Sequence, residues 1–214
     1  MFGAVAKGRR MIAEITTALS TVTALSNQVQ QLGPLVAKLR DKPDAAAEKV
    51  AVALDEIRKT CDVVDATLVK FLLLAEQPTY ERLLELQDRT LAAHVEINRG
   101  HCTTMTELFR RYVDNWINRA LDPADTNMAR GVFASFEQAD TDVFDTLTRA
   151  VGAVQSEATS LTKQYLLTGP GDVVAAVRTH APYVLDLRLA IVRMLVTLVR
   201  EQWAFRDISG VASR

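Results

Sequence analysis

His94, Asn98 and His101 follow at i, i+4 and i+7, so on a helix they share one face, with Cys102 beside them. Imidazole and thiolate together could ligate zinc or a related metal. The carboxylates that complete a di-iron bundle site come from Glu-x-x-His pairs, and this chain has none. Cys61 and Cys102 match no zinc spacing and cannot form a disulfide framework, which points to a reducing compartment. The face bearing His94, Asn98 and His101 therefore reads as a polar layer that fixes helix register, and neither metal nor cofactor is expected. Glu137, Asp140, Asp142 and Asp145 form an acidic run. Counted as a calcium loop from Asp140, it puts Asp145 where glycine is needed and Val151 where a bidentate Glu is needed. The run reads as a solvated helix face. No phosphate-cradling loop, nucleophile elbow or paired acid and base occurs, so the expectation is a protein that is not an enzyme.

One pair of residues supports a catalytic alternative. Arg89 and His94, in Arg89-Thr-Leu-Ala-Ala-His94, resemble the Arg-x4-6-His motif of HEPN ribonucleases, helical bundles that cut RNA where two such motifs meet. The resemblance implies Arg89 and His94 as the catalytic residues. Thr90 departs from the polar amide or acid that often follows the arginine in that family. With eighteen arginines and three histidines, roughly one such spacing arises by chance. Nucleic acid is otherwise not an expected partner: the formal charge is -1, and the aromatics, 6% of the chain, sit mostly on apolar seams.

Whatever these groups do, helices must position them. Six prolines and nine glycines in 214 residues are too few for a turn-rich β fold, and a 49% hydrophobic share is ample for a core. Apolar residues recur in alternating threes and fours. Residues 44–76, with Asp44 as N-cap, carry Val50, Leu54, Ile57, Cys61, Val64, Leu68 and Phe71 in this rhythm. Residues 79–121 continue it through Tyr80, Leu84, Gln87, Leu91, Val95, Asn98, Cys102, Met105, Phe109, Tyr112 and Trp116. Gly100 and Thr104-Met-Thr-Glu107 resemble a stop and a capping-box restart, but the register is unbroken, so one helix bent there is expected. Asp122-Pro123-Ala-Asp125 opens a helix over 123–168 with the seam Phe144, Leu147, Val151, Val154, Ala158, Leu161 and Tyr165, closed by Gly169-Pro170-Gly171. A first helix over about 10–32 buries Ile12, Ile15, Leu19, Val22, Leu25, Val29 and Leu32. The last spans 172–207, its start a separate short helix before Pro182. The prolines read as joints. The expected fold is all-α: a single domain, 1–214, forming an elongated antiparallel bundle of about five long helices with coiled-coil-like seams, in which 79–121 and 123–168 make a rod-like hairpin.

The last helix is apolar around most of its circumference. Leu185, Leu189, Val192, Val196, Val199 and Trp203 form one stripe, while Val184, Leu187, Ile191, Leu195 and Leu198 form another. Asp186, Ala190, Arg193, Thr197 and Arg200 make a narrow polar face. Such a helix is either central to its bundle or partner-facing through the first stripe.

Charge is uneven along the chain: +4 over 1–43, -3 over 44–78, -1 over 79–122, -3 over 123–171 and +2 over 172–214. Basic ends flank an acidic middle. Drawn as a helix, the N-terminal residues put Met1, Ala4, Val5, Met11, Ile12 and Ile15 on one face. Lys7 and Arg10 lie opposite with Arg9 flanking, an arrangement that suits an anionic membrane surface. The stretch is no secretory signal, and Tyr183 to Val199 carries too many charges to span a bilayer. Residues 11–75, with Leu32-Gly33-Pro34-Leu35, Leu54-Asp-Glu-Ile57 and Cys61-Asp-Val-Val64, look loosely like helical cell-death domains of the HeLo and MLKL type. That resemblance implies membrane permeabilisation by N-terminal helices, with Lys7, Arg9 and Arg10 facing lipid. The first expectation remains a non-catalytic scaffold, adaptor or oligomeric structural subunit. It would be cytoplasmic or peripheral at a membrane, and would work through a protein partner or self-association.

Overall fold

The computed structural model describes residues 2–88, 107 and 110–210, with the side chains of 2–7 and of Ala139 outside the description. All regular structure among the described residues is α-helix. The helices are α1 (Phe2–Leu39), α2 (Ala45–Leu73), α3 (Tyr80–Leu86), α4 (110–120), α5 (Pro123–Thr168) and α6 (Pro170–Ser209). Asp44 caps α2 by accepting from the Ala46 amide, Thr79 caps α3 from the Arg82 amide, and Asp122 caps α5 from the Asp125 amide. Gly169, at φ 88°, makes the α5–α6 corner in a conformation that a side chain would strain.

Helix directions follow from cross-helix contacts. Lys38 pairs with Asp125 and Thr21 meets Thr146 at 2.6 Å, so α1 and α5 are antiparallel. Asp65 pairs with Arg188 at 3.0 Å and Asp55 accepts from Gln202 at 3.0 Å, so α2 and α6 are antiparallel too. Gly8 lies against His180 and Gly33 against Glu201, which makes α1 and α6 parallel. The expected antiparallel bundle thus holds for α1–α5 and α2–α6, while α1 and α6 pack side by side as a parallel pair. Four long helices carry the bundle: α1 sits between α5 and α6, and α6 between α1 and α2. One contiguous core draws on every helix.

Several boundaries differ from the sequence expectation. α1 runs through Pro34 to Leu39, and α6 runs unbroken through Pro182, so these two prolines are not joints. The expected single helix over 79–121 stops after Leu86, and Gln87 and Asp88 are non-helical. Its seam also fails in places, because Tyr80, Leu84 and Tyr112 are exposed while Leu83, Leu86, Val113 and Ile117 are buried. A break in the helix lets each piece rotate independently, so a register carried across it loses meaning. Both pieces still meet α5 antiparallel, through Gln87–Thr162 (2.7 Å) and Arg110–Glu137 (2.7 Å). Trp116 Nε1 donates to the Lys42 carbonyl at 3.0 Å, and Arg119 reaches Asp44 at 2.6 Å, fastening α4 over the α1–α2 turn. Whether the chain breaks near Gly100 lies outside the described residues.

Candidate functional site

α6 carries a continuous buried seam: Val173, Val177, His180, Val184, Leu187, Ile191, Met194, Leu198, Glu201, Phe205 and Ile208 alternate at steps of three and four. α1 and α2 cover this seam. Leu185, Leu189, Val192, Val196, Val199 and Trp203 keep the same rhythm about 160° around the helix at 100° per residue. The structure leaves all six in solvent, Leu189 at 50%, Val196 at 69% and Trp203 at 57% exposure. The helix is thus not enclosed on all sides, and no described helix covers its outer face. The six side chains leave on the order of 600 Å² of apolar surface in water, the upper end of what monomers of this size expose.

Charges line this face on one flank. Asp186, Arg193 and Arg200 are exposed beside the stripe, and Arg200 also holds the buried Glu201 carboxylate at 2.6 Å. Thr197, expected among them, is buried and donates to the Arg193 carbonyl instead. The Arg206 guanidinium sits 5.8 Å from the Trp203 ring.

The other sequence candidates divide. Arg89, His94, Asn98, His101 and Cys102 lie outside the described residues. Among those described, no three His, Cys, Asp or Glu side chains come together as a metal site. Arg9 and Arg10 are exposed on α1, while Met11 and Ile15 are fully buried on this bundle and Ile12 is half-buried. The apolar side of that segment is therefore spent on its own fold from Met11 onward. Among the described residues no helix is long and apolar enough to cross a membrane.

The acidic run is a solvated face only in part: Asp142 is exposed and Asp145 half-buried, as expected, but Asp140 is not. Asp140 is buried, with Oδ1 lacking a hydrogen-bond partner among the described residues, and Glu137 is drawn into a pair with Arg110. Burial, followed by the nearby Glu137 charge, pushes the Asp140 carboxyl up to about 7. Burial likewise pushes the Cys61 thiol up, with Asp62 and Asp140 adding to the effect, so Cys61 is an inert core group. His180 is held below the usual imidazole range by burial. It packs so closely on α1 that a Cβ at Gly8 would stand 2.8 Å from its Nε2.

No family model, curated protein or solved structure matches this chain. What the molecule does has to be argued from its own surfaces. A groove of about 370 Å³ between α4 and α5 is lined by three arginines, but two of them are already engaged, Arg110 with Glu137 and Arg130 with Asp114. The outer face of α6 presents six apolar side chains that no other described helix covers.

Proposed function

We propose that this chain is a non-catalytic helical-bundle scaffold or adaptor that works through protein–protein contacts made by the outer face of α6. The observation that carries the reading is the six-residue apolar stripe, kept in unbroken heptad rhythm on a face that no other described helix covers. A stripe of this regularity is the form in which helices bury one another. The buried ionisable groups support a non-catalytic role: Asp140 and the nearby Cys61 are both pushed towards their uncharged forms by burial, and His180 and Glu201 are separated by about 30 Å along α6. Catalysis needs such groups to converge. A photo-crosslinking residue at Val196 should give covalent protein adducts in cells, whereas one at exposed Thr23 on α1 should give none. Equal labelling from the two positions would sink the reading.

A second reading, attachment to an anionic membrane, is favoured by one end of the bundle. Leu166 and Leu167, the latter 84% exposed, project at the α5–α6 corner, the same end as Arg9 and Arg10 because α1 and α6 are parallel. Apolar tips beside basic residues suit an interfacial docking mode. Co-sedimentation with phosphatidylserine vesicles at low salt should fall when Leu166 and Leu167 are changed to Asp. No binding by the unaltered chain would overturn this reading.

A further inference from the structure

We propose that the occupant of the α6 face is a second copy of this chain, its α6 laid antiparallel across the first about a two-fold axis near Met194. The inference rests on the reading of that face as an interaction surface and names its partner. Three features of the face support it.

The steps from Leu185 to Trp203 run four, three, four, three, four, and they read the same in either direction. Reversal therefore sets Leu185 against the second copy's Trp203, Leu189 against its Val199, and Val192 against its Val196. Each layer matches an apolar group to an apolar group. The largest side chain falls at the two ends and the smaller valines at the crossing point, where the helices come closest.

The area is sufficient. Two such stripes, fully covered, bury about 1,200 Å² between them, the lower limit for a specific stable interface, before the aliphatic stems of the flanking arginines are included.

The charges choose the direction. In the antiparallel pair the exposed flank brings Asp186 opposite Arg200 of the other copy twice, and Arg193 meets itself once. On the other flank Leu195 meets Leu195. In a parallel pair Arg188 would face Arg193 twice, with no opposite charges brought together. Like charges across a seam disfavour a pairing, and opposite charges select one. An exposed flank carrying both signs, one acid followed by two bases, complements itself only when reversed.

Light scattering on the full chain across a concentration series should show the mass rising from 23.6 kDa towards twice that value. Val196→Glu and, independently, Val199→Lys should weaken the association by about 30-fold or more while circular dichroism shows the helices intact. With Cys102 replaced by Ser, a spin label at Arg193 should report a short inter-copy distance. One at Asp207 should report about 40 Å, since about twenty-six residues then separate the two labels along the helix axis. A parallel pair would give short distances at both positions. A single-chain mass throughout, an association indifferent to both substitutions, or short distances at both labels would each overturn the proposal. A single-chain mass with photo-adducts from position 196 to a different protein would remove the second copy and leave the interaction surface standing. A single-chain mass with no adducts would remove both.

Discussion

Burial holds the Asp140 carboxyl at a pKa of about 7, well above the 3.8 it has in an unfolded chain. The folded state then binds a proton that the unfolded state has released between about pH 4 and pH 7. Stability must fall as pH rises through that window, and the penalty is complete above it. Asp140→Asn, which cannot ionise, should lose this slope and be more stable than the unaltered chain at pH 8, by on the order of a few kcal/mol. Urea unfolding followed by circular dichroism at a series of pH values measures the difference between the two proteins. His180 acts in the opposite direction, because its lowered pKa makes the folded state resist protonation as pH falls below the ordinary imidazole value of 6.5. That contribution is common to both proteins and cancels in the comparison. The burial of these groups runs against their residue types, and for Asp140 against the expected solvated face, but it follows the heptad rhythm. Asp140 stands seven residues before the seam residue Leu147, and His180 and Glu201 each stand seven residues from the buried Leu187 and Met194. An acidic cluster catches the eye by type, whereas position in the heptad decides its surroundings.

At the scale of the helix, the same rhythm picked out seven buried positions of α2, Val50 to Phe71, and the second half of the α5 core, Phe144 to Leu161, but it missed Phe133, Phe136 and Val143 in the first half of α5, and Tyr165 is only half-buried. It failed where a break intervenes. The non-helical Gln87 and Asp88 are neither Gly nor Pro, and nothing local announces that the helix ends there. Pro34 and Pro182 mislead in the other direction. A proline inside a helix costs about 3 kcal/mol, but Leu35, Val36 and Leu39 follow Pro34 and are buried. Each contributes roughly 1.5–3 kcal/mol, so packing outweighs the lost hydrogen bond. Pro34→Ala should therefore raise stability by about 1–3 kcal/mol, seen as a higher midpoint in thermal unfolding, because an exposed site regains its amide donor and loses nothing buried. Gly8→Ala should do the reverse. Its methyl group would meet the His180 ring, which is closed in by Phe71 with ring centroids 6.4 Å apart, and α1 would have to move away from α6. The loss should shrink markedly in combination with His180→Ala, a non-additivity that a double-mutant cycle reads directly.

For the whole molecule, the informative contrast lies between two sides of one helix. Ile191 and Leu189 are two residues apart and equally apolar, yet one is buried and the other half exposed. Ile191→Asp should abolish cooperative unfolding, since it places an unpaired carboxylate in the core. Leu189→Asp should leave far-ultraviolet circular dichroism unchanged. The sequence showed that α6 has two apolar stripes but not which of them the bundle would take. That choice depends on how α1 and α2 close around the helix, a relation among distant segments that no local pattern contains.

The parallel run of α1 beside α6 has a mechanical side. The chain enters the bundle at one end and leaves it at the other, roughly 60 Å away along forty residues of helix. A pull applied at the start of α1 and the end of α6 would load their shared contacts all at once, sliding one helix along its neighbour instead of peeling them apart one turn at a time. Rupture would then require most of the seam to fail together, so a bundle wired in this way resists tension along its length better than a hairpin whose ends emerge side by side.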